Sequence, residues 1–387
     1  MSANENIDYK AIAKEYGTPF YLIDKVKTIS RVHEIEKRFP KNAKLCYAIK
    51  ANAFLVAILK NEGILFEVCS AGELSICEKV GLNPSKIVFS GVVKTKEDVA
   101  RAYNLGVHTI TLESAAHCEY LLEAAKNKTH TQNVILRLTS GNQFGMSESD
   151  ILLCIEKLQK NDSINIRGIH FFAGTQKKMK TIISEIAFIE EYCTRLQEKY
   201  GLQLEIEYGA GLPYDYFSGN DESDNFAVLE ELVQLIKKSK FNYVIELGRY
   251  VASPLAFYAT KIMDIKGDDK NCYCLIDGGI NHINYFGQMM GMKTPRVFLE
   301  SDTAKNDDAQ DYTIAGSLCT TADIVLRKLS LPNPAINDVL IFQDIGAYSI
   351  TEGIYLFLSH PLPAVLLNDN GTISVLRNRI ETYILNS

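Results

Sequence analysis

The sequence predicts an α/β protein in which a (β/α)8 (TIM) barrel is followed by a C-terminal all-β domain of sandwich or barrel type. Three observations carry this. Short apolar or β-branched runs begin near Ala43, Leu65, Ile87, Thr109, Val134, Ile166, Glu205 and Tyr243, separated by stretches of helical periodicity. Eight βα repeats in about 200 residues match a closed barrel, whose reactive groups lie at the C-terminal ends of its strands. An open doubly wound sheet would expect Gly-x-Gly-x-x-Gly after an early strand, and the sequence has none. After about Pro254 the helical stretches stop, and strand-like runs follow one another through turns.

Taken in order, Met1–Thr18 precedes the barrel as a helix or a strand, and residues 1–25 are assigned to a segment packing on the β domain. Residues 26–254 form the barrel, with amphipathic helices such as Ser114–Asn127 and Phe226–Lys240 between its strands. Residues 255–387 form the β domain. There Lys266–Asn271 separates two strands, Ser301–Asp311 reads as a solvated loop, and Asn370-Gly371 between Val365–Leu367 and Thr372–Leu376 is a hairpin signal.

Composition narrows the function. The 387 residues are 47% hydrophobic and 23% charged, which provides a sizeable core and excludes wholesale disorder. Lys plus Arg less Asp plus Glu is 41 − 47 = −6, so no net positive field favours nucleic acid or anionic lipid. No apolar run reaches the roughly 20 residues of a spanning helix, and the polar start lacks a signal pattern. A cytoplasmic protein with neither nucleic-acid nor membrane partner is expected. Nine scattered cysteines, none spaced as Cys-x-x-Cys, read as reduced thiols rather than a disulfide frame or a metal site.

Chemistry concentrates at three strand ends. The run CYAIKAN places Lys50 just beyond the first barrel strand, where an amine in a water-poor pocket can attack a carbonyl; a lysine snorkelling at a strand end is the bland alternative. The seventh strand runs into Gly209-Ala210-Gly211 and the eighth into Glu246-Leu247-Gly248-Arg249. Small residues let backbone N–H groups approach a phosphate, and Arg adds a bidentate donor. The loops after strands seven and eight are the usual phosphate site of this barrel.

These segments, with GSLCTTAD at Gly316–Asp323 and GAY at Gly346–Tyr348, resemble the alanine-racemase-fold, group IV pyridoxal-phosphate decarboxylases, which include the diaminopimelate, ornithine and arginine decarboxylases. The motifs run in order from about Pro19 to about Pro363. The resemblance implies pyridoxal 5'-phosphate as cofactor and a homodimer with active sites at the subunit interface. It implies that Lys50 holds the cofactor covalently. Gly209, Ala210, Gly211, Leu247, Gly248 and Arg249 would surround its phosphate, with Thr175 and Tyr348. Phe172 would lie over its ring, Glu246 at the ring nitrogen, and Cys319 would return a proton to Cα from the partner subunit. A carboxylate at the ring nitrogen favours a decarboxylase over a racemase of the same fold, which places an Arg there. An intact Lys50, Glu246 and Cys319 also argue against an inactive paralogue acting as a binding protein.

The departures from the pattern point to the substrate. HFFAGTQ puts Phe172 where diaminopimelate decarboxylases have a second histidine, leaving His170 as either a structural or a catalytic residue. The position after Cys319, usually acidic to hold a distal ammonium, is Thr320. Both changes look more like the carrier-protein-linked glutamyl decarboxylase of butirosin biosynthesis and its relatives, so a conjugated, possibly carrier-linked, amino acid is expected. His282 and Tyr285 are placed in a substrate loop, Arg296 resembles a substrate-carboxylate Arg, and Glu352 is a candidate compensating carboxylate.

Overall fold

The structure is a computed structural model that describes residues 7–127, 130–217, 226–268, 271–302 and 309–387. It divides into two compact units, one of residues 31–214 with 222–251 and the other of residues 1–30, 215–221 and 252–387. The expected Ser301–Asp311 loop falls, for residues 303–308, outside the described residues, as do residues 269 and 270 of the Lys266–Asn271 turn.

Strand β1 (Phe20–Asp24) belongs to the second unit. The first unit is a closed parallel barrel of eight strands in sequence order: β2 (Ala43–Ala48), β3 (Leu65–Val68), β4 (Ile87–Phe89), β5 (Thr109–Leu112), β6 (Gln132–Arg137), β7 (Ile164–Phe172), β8 (Glu205–Gly209) and β9 (Tyr243–Leu247). Closure is made by β2 against β9, with Cys46 opposite Glu246. The eight strand starts agree with the sequence expectation, β6 and β7 beginning slightly earlier than expected. Strands buried on both faces read as near-continuous apolar runs, which is why they stand out. Serine and threonine N-caps start several helices: Ser70, Ser114 and Ser147 accept the N3 amide, and Thr95 forms a full capping box with Asp98. The helix Met179–Tyr200 ends on Gly201 in the left-handed region.

The second unit is a nine-stranded mixed sheet built from β1, β10 (Ala256–Gly267), β11 (Cys272–Ile276), β12 (Val297–Glu300), β13 (Ala309–Ala315), β14 (Ile324–Pro332), β15 (Val339–Phe342), β16 (Ala364–Asp369) and β17 (Thr372–Arg377). The predicted hairpin joins β16 to β17 through Asn370 and Gly371 at φ 52° and 87°, the positive values a two-residue turn demands. β1 sits inside this sheet, parallel to β16 and antiparallel to β10. The helix Tyr9–Tyr16 lays Tyr9 edge-on against Phe257 and Phe298, with centroids 5.9 and 5.8 Å apart. Glu300 accepts the amides of Tyr9 and Lys10 at that helix's N-terminus, satisfying donors a helix leaves open. All nine cysteines are free thiols. No described helix is long and apolar enough to cross a membrane.

Candidate active site

Lys50 occupies the short turn Ile49–Ala51 directly after β2. The Tyr47 hydroxyl donates to the Asn52 carbonyl at 2.9 Å, and the Asn52 side chain accepts the Phe54 amide at 3.1 Å, so the turn is closed from both sides. The Lys50 ammonium lies 3.0 and 3.3 Å from the two oxygens of Glu67, and 3.7 Å from the Cys69 sulfur. Glu67 is buried on β3, whereas the Lys50 side chain is 40% exposed, so the amine faces the mouth with a carboxylate beneath it. Cys69 in turn donates to Glu67 at 3.2 Å.

Deeper in the barrel, Glu246 of β9, Glu207 of β8 and His170 of β7 form a cluster with donor atoms within 4.8 Å of one another, and all three are buried. His170 Nε2 lies 3.1 Å from Glu246 Oε2. Burial works to raise the Glu246 carboxyl, but the charge and hydrogen bond of His170, the Lys50 charge and neighbouring Glu207 outweigh it and hold it at about 2. Glu207 goes the other way, pushed well above the usual carboxylate range by burial and then by the charge of Glu246. The two neighbouring acids are thus pushed in opposite directions, Glu207 toward the neutral form and Glu246 toward the ionised one. Of the three, His170 and Glu246 are joined by a hydrogen bond, and Glu207 stands beside them.

This division has a pH signature. Because the Glu207 pKa is raised on folding, its stabilising contribution is fully present below the ordinary value of 4.5 and is lost as pH rises. Glu207→Gln keeps a neutral donor at every pH. Its thermal midpoint is expected to match wild type near pH 4.5 and to exceed it increasingly toward pH 8; an equal offset at both pH values contradicts the assignment.

The glycine turn after β8 is built by exclusion. A Cβ on Gly209 would collide with the Phe172 ring, and one on Gly211, at φ +57°, would strike the Gly174 carbonyl. Gly248 packs between Ala48 and Ala51, where a Cβ would stand 3.3 Å from each methyl carbon, tying the start of the Arg249–Ala252 helix to the Lys50 turn. Phe172 places its ring centroid 5.9 Å from the Lys50 ammonium. Ala210 and Leu247 are buried, Arg249 is partly buried, and Thr175 is exposed. The barrel therefore gathers its expected residues at the C-terminal ends of β2, β7, β8 and β9. Glu67, Cys69 and Glu207 were not anticipated; inside an apolar strand run, an acid at a strand's inward position was the available signal.

The remaining expected residues lie in the β unit. Cys319 and Thr320 are exposed on a turn organised by buried Asp323, whose carboxylate accepts the amides of Ile280 at 2.8 Å and Leu318 at 2.7 Å. Gly279 and Gly316 leave room for that carboxylate. Tyr348 has φ +69°, a conformation costing a non-glycine residue roughly 1–3 kcal/mol, and its carbonyl accepts from Thr351 and Glu352. Three more are engaged within the unit. His282 is buried, its ring nitrogens lie 2.9 Å from the Tyr258 hydroxyl and 3.1 Å from Asn281, and burial holds it neutral with a pKa of about 3. Tyr285 is likewise buried and donates to the Gln343 carbonyl at 2.6 Å. Arg296 is engaged within the unit, with Nε 2.7 Å and Nη2 2.6 Å from Asp344 Oδ2. Glu352 accepts from Asn284 at 2.6 Å.

Residues 25–253 match the family described as pyridoxal-dependent decarboxylase, pyridoxal binding domain. The chain is 26% identical to the L-glutamyl-[BtrI acyl-carrier protein] decarboxylase of Niallia circulans, over 97% of this chain and 94% of that protein. It is also 26% identical to the 2-[(L-alanin-3-ylcarbamoyl)methyl]-2-hydroxybutanedioate decarboxylase of Staphylococcus aureus, over 91% and 94%. Among solved structures, the diaminopimelate decarboxylase of Helicobacter pylori complexed with L-lysine superposes with a TM-score of 0.84 at 20% identity, covering 98% of each chain. That likeness concerns the fold.

Proposed function

The chain belongs to the pyridoxal-dependent decarboxylase family, and from that premise we propose that it removes the α-carboxylate of an amino-acid moiety held in a larger conjugate, one presenting no free distal ammonium. The observation that carries the chemistry is an amine at the barrel mouth, Lys50, with a buried carboxylate deeper in the same barrel, Glu246, held ionised by its neighbours. The residues fit the cofactor: an amine at the mouth, a glycine turn where no Cβ fits at Gly209 or Gly211, and an ionised acid in a dry pocket. Lys50 would hold it covalently, Glu246 would face its ring nitrogen, and the turns around Gly209–Gly211 and Gly248–Arg249 would hold its phosphate. When bound, pyridoxal phosphate supplies an electron sink for the pair released as the Cα–carboxylate bond breaks.

The chain's own groups have separate tasks. With the cofactor bound, Glu246 would keep a positive charge at the ring nitrogen, and His170 and Glu207 would hold that carboxylate in place and ionised. Glu67 keeps the Lys50 amine at the mouth. Cys319, as a thiol, would give the proton that replaces the lost carboxylate, in a dimer whose partner completes each site.

Thr320 sets the substrate class. A hydroxyl cannot neutralise a desolvated cation, and the loss of an acidic partner costs about 3–5 kcal/mol, or roughly 10²- to 10³-fold in selectivity. The names of the relatives from Niallia circulans and Staphylococcus aureus both describe an amino acid carried in a larger molecule, which supports the same reading. Carbon dioxide release should be compared across free diaminopimelate, lysine and ornithine, and across acidic, amide-conjugated and carrier-linked amino acids. The expected result is kcat/KM at least about 100-fold higher for one of the latter group. A free dibasic amino acid as best substrate would contradict it.

A further inference from the structure

A second lysine stands against the glycine turn, and it is deeply buried. Lys177 is 8% exposed. It lies between β7 and the helix Met179–Tyr200, just ahead of a helix N-terminus, where a positive charge is unfavourable. Its ammonium is held 2.5 Å from Glu185 Oε2, two turns along that helix, and the Tyr208 hydroxyl donates to the same oxygen at 2.6 Å. Burial depresses the ammonium and Glu185 counters that.

The contacts of Lys177 with the turn show why a charge would be kept there. Its ammonium donates to the Gly209 carbonyl at 3.0 Å, and its own backbone amide donates to the Gly211 carbonyl at 2.9 Å. Next to it, the Gln176 amide group spans the Tyr214 backbone, donating to its carbonyl at 2.9 Å and accepting its N–H at 2.5 Å. In a trans peptide the N–H points opposite to the C=O. With the carbonyls of Gly209 and Gly211 both drawn toward Lys177, the N–H groups of Ala210 and Leu212 point away from it. The fit is close: a Cβ on Gly211 would come 2.7 Å from Lys177 Cε.

We propose that Lys177 is a positioning residue for the phosphate site, gripping the carbonyls of the Gly209–Gly211 turn so that its N–H groups are presented to the cofactor phosphate. This rests on the reading that the turn binds that phosphate. The ammonium, 5.8 Å from the Phe172 ring centroid, also backs the residue assigned to the cofactor ring.

The test uses the full chain stripped of cofactor and titrated with pyridoxal phosphate or with pyridoxal, which lacks the phosphate; borohydride-fixed label on Lys50 is the readout. Lys177→Met should raise half-saturation for pyridoxal phosphate about 10- to 100-fold and leave that for pyridoxal within about twofold, with Lys177→Arg intermediate. Should Lys177→Met fail to fold, Glu185→Gln, which removes the ammonium's counter-charge, carries the same comparison with a smaller shift in the same direction. Unchanged half-saturation for pyridoxal phosphate, or equal loss for both compounds, overturns the positioning role. Absence of label from wild type with either compound overturns the cofactor site itself.

Discussion

Lys50→Ala should lower turnover by about 10³-fold or more, as expected when a covalent attachment point and a nearby proton-transfer group are removed together. The effect should be as large for Lys50→Arg, which keeps the charge 3.0 Å from Glu67 but removes the nucleophile. Pyridoxal phosphate should then bind only reversibly and be lost on gel filtration. A buried lysine provides the internal control. Lys94, depressed to about 8 by burial, is 4% exposed and donates to the Gly91 carbonyl. It should not take over the attachment. Steady-state kinetics on the two Lys50 variants, with absorbance before and after filtration, decide the matter; a variant within tenfold of wild type would contradict the role given to Lys50.

Cys319→Ala should lower turnover by about 10²- to 10⁴-fold, the range for a positioned proton donor, while leaving covalent cofactor content unchanged. The residue is exposed on its turn in the β unit, as a group serving a second subunit would be. Mixed and allowed to exchange, Lys50→Ala and Cys319→Ala chains should regain activity, since one of the two sites in each heterodimer would then be intact. Verified exchange without recovery would show that each site is complete within one chain.

Much of this architecture was legible because it rests on periodicity and on turn chemistry. The eight barrel strands announce themselves as apolar runs, and Asn370-Gly371 marks its hairpin because both residues tolerate positive φ. Lys50, the Gly209–Gly211 turn and Glu246 follow from strand ends meeting at one mouth. What stayed hidden depends on three-dimensional neighbours. Glu67 and Glu207 sit inside short strand runs and Lys177 just ahead of a helix, and only folding shows what each is buried against. The partners of His282 and Arg296 were equally hidden, since only the fold brings them to Tyr258, Asn281 and Asp344. The strand β1, too short to declare its partners, pairs with β10 and β16 from more than 200 residues away.

The most direct test of the account is where the cofactor is attached. Purified protein loaded with pyridoxal phosphate, reduced with borohydride and digested, should yield one labelled peptide, containing YAIKAN with the label on Lys50. A label on Lys94, Lys177 or any other lysine, or no label at all, would contradict it.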